Sequence, residues 1–193
     1  MGVEFELKYT AHPRMLEEIA AAYPGDYRIF HMETTYYDTP DGKLSDRRMT
    51  LRCRMENHTR ICTVKAPISG YGRGEWDCQC DKIEDAILQL CEQGAPRELL
   101  LLTVEGVEPI CGAKFTRRAL ELRHAGSVLE IALDSGVLLG GGKEAPLCEV
   151  EVELKAGEPE AAIQFAGQLA EQFGLEPQSK SKFRRALTLA KGE

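Results

Sequence analysis

The sequence predicts an α+β domain dominated by an antiparallel β-sheet, with helices packed on its apolar side. Three observations predict it: short segments in which charged and apolar residues alternate with a period of two, turn residues between those segments, and only about three stretches with helical spacing. Counting the segments gives about eight to ten strands, mostly in antiparallel order. The 193 residues suit one domain, 1–193, with a sizeable core.

The first strand sets the pattern. Glu4, Glu6 and Lys8 fall on one face and Val3, Phe5, Leu7 and Tyr9 on the other, because successive strand side chains point to opposite sides. Residues 12–22 follow as a short amphipathic helix, capped by Thr10 or begun by Pro13 and ended by Pro24-Gly25. Residues 27–38 are rich in β-branched and aromatic side chains and read as a strand, with Thr39-Pro40-Asp41-Gly42 as its turn. Residues 49–55 place Arg52 and Arg54 on a shared face. Asn57-His58 then turns the chain into 59–65, where Thr59, Ile61, Thr63 and Lys65 line up.

The glycine-rich connection 67–74 matches neither GxxxxGK[ST] nor a GxGxxG after a strand, so Gly70, Gly72 and Gly74 serve turns and flexibility. Arg73, Glu75 and Asp77 alternate against Trp76, which is expected to pack outward. Asp81 is expected to cap a helix over 82–93, with Ile83, Ala86, Ile87, Leu90 and Cys91 at helical spacing. For the short apolar run 98–104, periodicity leaves helix or strand open.

Residues 113–123 set Arg117, Glu121 and Arg123 opposite Leu120 and Leu122, and 128–134 set Glu130, Ala132 and Asp134 opposite Leu129, Ile131 and Leu133. Gly136 and Gly140-Gly141-Gly142 are expected to bracket a loop. Residues 148–154 then repeat the opening motif, with Glu149, Glu151 and Glu153 against Val150, Val152 and Leu154. The strongest helix is 159–173, stopped by Gly174. The basic tail from Ser179 is expected to turn into a last strand, in which Arg184 and Arg185 compete for one inward position.

Composition narrows the function classes. A formal net charge of −7 argues against a general nucleic-acid binder, while leaving room for a local basic cavity. No apolar run reaches the roughly 18 residues of a membrane span, and the chain enters a charged strand directly after Met1-Gly2, so neither membrane nor signal peptide is expected and the location is expected to be cytoplasmic. The seven cysteines are odd in number and scattered, which suits reduced thiols better than a disulfide framework. Cys78-Gln79-Cys80 lacks a second pair or a nearby histidine that would complete a zinc site.

Two acidic strands lying side by side would crowd like charges unless cations bind there. A closed sheet can turn its charged faces inward around a cavity and its apolar faces outward under helices. Such a cavity would bring carboxylates of Glu4, Glu6, Glu149 and Glu151 together with Lys8, Arg52, Arg54, Lys65, Arg117 and Lys182. Carboxylate oxygens suit Mg²⁺ or Mn²⁺, and guanidinium groups suit phosphate. A half-open sheet with a solvated charged face, or a binding module without turnover, also fits these residues.

The motifs, taken in order, resemble those of the CYTH superfamily of triphosphate tunnel metalloenzymes. EFELK at 4–8 is similar to its ExExK signature, Tyr36-Tyr37-Asp38-Thr39 to YYDT, Leu51-Arg52-Cys53-Arg54 to LRxR, and Arg73-Gly74-Glu75 to RxE. Phe115-Thr116-Arg117, Ala132-Leu133-Asp134-Ser135-Gly136, the ExExE of 149–153 and Ser181-Lys182-Phe183-Arg184 continue the likeness over nearly the whole chain. The resemblance implies an eight-stranded antiparallel tunnel, a divalent metal and a small triphosphate-bearing substrate. It implies Glu4, Glu6, Glu149 and Glu151 as metal ligands, with Asp134 assisting directly or through water. Lys8, Arg52, Arg54, Lys65, Arg117, Lys182 and Arg184 would hold phosphates, and Glu75 would orient one of those cations. The chemical set expected to support turnover is Glu4, Glu6, Lys8, Arg52, Arg54, Lys65, Glu75 and Lys182. The expected reaction is hydrolysis of inorganic triphosphate or a related triphosphate. Adenylate cyclase activity and a non-catalytic triphosphate binder are the rivals, and a homodimer is left open.

Overall fold

Period-two alternation drives nearly half of this chain into one curled sheet. The computed structural model describes residues 5–68 and 73–192, so Glu4 and the glycines at 70 and 72 lie outside the described residues. The strands are β1 (Glu6–Thr10), β2 (Arg28–Asp38), β3 (Thr50–Glu56), β4 (Thr59–Pro67), β5 (Arg73–Gln79), β6 (Glu108–His124), β7 (Ser127–Gly140), β8 (Lys143–Ala156) and the two-residue β9 (Glu176–Pro177). The helices are α1 (Pro13–Ala22), α2 (Lys43–Asp46), α3 (Ile83–Glu92), α4 (Glu98–Leu102), α5 (Pro159–Phe173) and α6 (Lys182–Lys191). Every ladder is antiparallel, in the order β5-β4-β3-β2-β6-β7-β8-β1-β9. The eight long strands form the expected tunnel: β1 and β5, far apart in this order, line the same cavity. None of the helices among the described residues is long and apolar enough to cross a membrane.

Outward faces carry the coat. Leu129, Ile131, Leu133, Val150 and Val152 pack beneath α1 and α5, and Leu51, Cys62, Val64 and Trp76 pack beneath α3 and α4. Trp76 is therefore outward and buried, as its alternation predicts. The two acidic strands are direct neighbours, with Glu6 opposite Glu153 and Lys8 opposite Glu151. That register puts Glu149, Glu151 and Glu153 on the tunnel side together with Asp134, which pairs with Glu149 across β7 and β8.

Several expected elements are corrected. The tail is not a strand: Ser181 accepts a hydrogen bond from the Arg184 amide at 3.2 Å and starts helix α6. This helix lies on the inner face, where Ala186 and Leu189 join Met32, Ala113, Phe115 and Leu138 in a third apolar cluster. The glycines after Asp134 do not make a long loop. Gly136 sits in mid-strand, where a Cβ would collide with the Lys114 carbonyl, and the turn is confined to Gly141 and Gly142, both at positive φ. Neither Thr10 nor Asp81 caps a helix; His12 and Lys82 hold those positions without side-chain caps. The undecided run 98–104 contains α4. Asp38 accepts from the amides of Thr39, Leu44 and Ser45 and from the Ser45 hydroxyl, so this buried carboxylate is spent on the turn that starts α2.

Candidate active site

The tunnel encloses a cavity of about 660 Å³. Among the described residues, nine cationic side chains and three carboxylates line it, in a chain whose net charge is −7. A local excess of positive charge behind low-dielectric walls concentrates the field on a small polyanion.

One wall, built by β7, β8 and β1, is acidic and internally paired. Oxygens of Asp134, Glu149 and Glu151 lie within 4.8 Å of one another, all three residues buried. Lys182 Nζ ion-pairs with all three, donating to Glu151 at 2.8 Å and to Glu149 in a short contact, and standing 2.8 Å from Asp134. Arg117 forks onto Asp134 at 2.8 and 2.7 Å and also bonds Glu151; Arg185 bonds the other Glu149 oxygen. Burial pushes the Glu151 carboxyl up, but Lys182 and Arg117 outweigh it and hold it well below the usual range. For Glu149 burial prevails and its pKa is raised. Burial likewise opposes the charge on Lys182, yet the surrounding acids raise its pKa.

The opposite wall is basic and only partly satisfied. On β3, Arg52 meets Glu75 at 3.3 Å while its buried Nε has no hydrogen-bond partner. Arg54 donates to the Thr34 hydroxyl at 2.9 Å, and the carboxylate beside it, Glu56, is 3.7 Å away. Burial, followed by the neighbouring Arg52, pulls the Arg54 pKa down to about 10. A buried guanidinium with so little compensation is costly until an anion reaches it. Lys65 meets the other Glu75 oxygen at 3.0 Å, so one carboxylate aims two cations from adjacent strands. Phe115 separates the walls: Lys182, Arg54 and Arg117 stand 5.1, 5.8 and 5.9 Å from its ring centre.

Of the residues expected at the site, Glu6, Lys8, Arg52, Arg54, Lys65, Glu75, Arg117, Glu151, Lys182 and Arg184 all line the cavity. Asp134 and Glu149 lie just behind it, fully buried. Glu4 is outside the described residues. Glu6 pairs with Lys8 at 2.8 Å and stands apart from the three-carboxylate cluster. Arg184 and Arg185 do not compete. On a helix they take different directions, Arg184 to the cavity and Arg185 to Glu149. Lys180 and Tyr36 also line the site without having been singled out. Tyr36 was legible from its phase on β2, two residues beyond Thr34.

The family model of the CYTH domain matches residues 3–187. The chain belongs to the CYTH family. It is 28% identical over 203 residues to the inorganic triphosphatase of Haemophilus influenzae, an alignment that takes in 96% of this CYTH chain and 54% of that protein. The chain thus spans about half the length of the curated relative it matches. Among solved structures, an adenylyl cyclase candidate from Hippeastrum with a dominant triphosphatase activity superposes with a TM-score of 0.69 at 20% identity, covering 98% of this chain and 96% of that one. A Pyrococcus horikoshii protein gives 0.64 at 21% identity, covering 96% and 99%. At these identities the likeness establishes the tunnel fold.

Proposed function

We propose that this CYTH chain is a divalent-metal-dependent triphosphatase that hydrolyses a phosphoanhydride bond of inorganic triphosphate or a related small triphosphate. The observation that carries this reading is one cavity in which an incompletely satisfied arginine wall faces a buried cluster of carboxylates. The Haemophilus relative, an inorganic triphosphatase, supports the same chemistry.

An all-oxygen set within 4.8 Å fits a hard cation such as Mg²⁺ or Mn²⁺. Asp134, Glu149 and Glu151 would hold it, with Glu4 and Glu6 from the first-strand motif; Glu6 would have to release Lys8 to take part. A bound metal would supply charge compensation at a phosphoryl oxygen. Arg52, Arg54 and Lys65 grip phosphate oxygens on the basic wall, and Arg54 recovers in that contact part of its desolvation cost. Lys8, Arg117, Lys182 and Arg184 face the same polyanion from the other side. Glu75 positions Arg52 and Lys65, both of which line the cavity. Holding these donors in place before charge develops lowers the barrier without reorganisation at the moment of reaction.

Inorganic triphosphate needs no base pocket, and Trp76 is committed to the outer core rather than to stacking on a nucleobase. The deciding experiment is a substrate panel with Mg²⁺ and with Mn²⁺, in which products are identified directly. Release of phosphate from inorganic triphosphate in preference to pyrophosphate from ATP is expected. Cyclic nucleotide with little phosphate would instead make the chain a cyclase, and tight triphosphate binding without turnover under both metals would make it a binder. Glu6→Gln is expected to abolish metal-supported turnover with the fold retained.

A further inference from the structure

Outside the tunnel, the back of the basic wall carries four cysteines on three adjacent strands and the turn that follows them. Cys53 on β3 is directly opposite Cys62 on β4, and Cys62 is directly opposite Cys78 on β5. All seven cysteines are free thiols, yet only one pair within this patch meets sulfur to sulfur. Cys62 Sγ lies 3.2 Å from Cys53 Sγ and donates to it. The Cys78 thiol instead points to the Ala86 carbonyl at 3.8 Å, and the Cys80 thiol to the Lys82 carbonyl at 3.3 Å. These thiols do not form a metal site, since the three-ligand cluster found among the described residues is the carboxylate one.

Directly opposed residues of an antiparallel pair have Cα atoms about 4.5–5.5 Å apart, inside the range a disulfide spans. Here the two thiols differ in reach. Cys62 is completely buried, whereas Cys53 is only partly buried at the edge of the outer core. They differ in acidity as well. The hydrogen bond from Cys62 lowers the Cys53 pKa to about 7 against the effect of burial, with Arg60 assisting and Asp81 opposing. The same hydrogen bond and burial push the Cys62 thiol up. An accessible thiolate backed by a buried second thiol is the arrangement that thiol–disulfide exchange uses.

We propose that Cys53 and Cys62 form a redox-active dithiol that closes to a cross-strand disulfide by exchange with a low-molecular-weight disulfide of the glutathione class. The Cys53 thiolate attacks one sulfur of the small disulfide, forms a mixed disulfide and expels one thiolate, which takes up the proton that Cys53 lost. Cys62 then loses its proton and attacks Cys53 Sγ, closing the protein disulfide and expelling the second small thiol. Two electrons and two protons pass to the small disulfide, giving two thiols. The new bond would tie β3 to β4 directly behind Arg52 and Arg54, which flank Cys53 on the cavity side.

The test equilibrates the native protein with oxidised glutathione, traps remaining thiols with an alkylating agent, and maps tryptic peptides. Cleavage after Arg52, Arg54, Arg60 and Lys65 separates the two cysteines, so the disulfide is read as a linked pair that dithiothreitol dissolves. We expect that linkage in monomeric protein. We also expect Cys53 to be alkylated at pH 7 at least about tenfold faster than Cys111. Cys62→Ser should arrest the reaction as a glutathione adduct on Cys53, whereas Cys53→Ser should leave Cys62 alkylatable after denaturation and free of adduct. Cys53 and Cys62 recovered alkylated after equilibration, or linkage running instead to Cys78 or Cys80, would overturn the proposal; mapping of the native protein decides it even if a variant does not fold.

Discussion

The two walls of the tunnel solve the problem of buried charge in opposite ways. On the β7–β8–β1 side, the carboxylates of Asp134, Glu149 and Glu151 are neutralised from within, by an ammonium carried on α6 and by two guanidinium groups. Across the cavity, Arg52 and Arg54 have Glu75 at 3.3 Å and Glu56 at 3.7 Å, and the Arg52 Nε has no partner. The first arrangement contributes to the fold and must be partly undone before a metal can use those oxygens. The second is a standing cost that a bound polyanion would relieve. On the proposed function, stability is concentrated on the acidic wall and affinity on the basic one, and substitutions on the two should move stability in opposite directions.

Lys182→Met tests the difference most severely. It leaves three buried carboxylates short of their shared cation, and removing one partner of a buried pair costs about 3–5 kcal/mol. Urea unfolding in metal-free buffer should register that loss, and added Mn²⁺ should recover part of it. Unchanged stability would mean that Lys182 does not hold the wall together. Arg54→Met should act the other way. Triphosphate binding should weaken on the order of 100-fold, the value of one or two charged hydrogen bonds, while the thermal midpoint holds or rises; a marked fall in the midpoint would erase the contrast.

Acid titration sharpens the picture at a smaller scale. Because Glu151 is held below the ordinary carboxylate range, its contribution to stability is fully present above that range and is lost as pH falls through its lowered folded value. Without Lys182 that folded value rises, so acid unfolding of Lys182→Met, followed by circular dichroism, should begin at higher pH than in the native chain. Glu75→Gln should have the mildest effect. It removes the partner that aims Arg52 and Lys65 from a partly exposed pair, so stability should stay within about 1 kcal/mol, while KM for triphosphate rises roughly tenfold as the two cations lose their aim. An unchanged KM would show that the two cations need no positioning.

Much of this was legible because strand alternation reports the side of the sheet directly. The phases of Glu6 and Lys8, Arg52 and Arg54, Lys65, Glu75 and Arg117 could be read one by one, and each of these residues lines the cavity. The segment carrying Lys182 was not, since its basic and apolar residues satisfy a short strand as readily as a helix. Ser181 is the available signal, an N-cap three residues before Arg184, and a helix that starts there gives the two arginines different directions. Gly136 misled for a related reason. Glycine ordinarily punctuates strands, whereas here it continues one because the backbone across the ladder comes too close for any side chain. Pairing among acids and bases on different strands depends on register and curl, which no single segment encodes.

The β7–β8 hairpin has a consequence for how such a chain can change in length. Over 129–134 of β7 and 148–154 of β8, residues alternate between the tunnel side and the coat. Loss or gain of one residue inside either strand would exchange those memberships for everything up to the next turn, putting Val150 and Val152 in the cavity and Glu149 and Glu151 against α5. Length variation among kindred sequences should therefore gather at turns such as Gly141-Gly142, while the strand interiors change only by substitution.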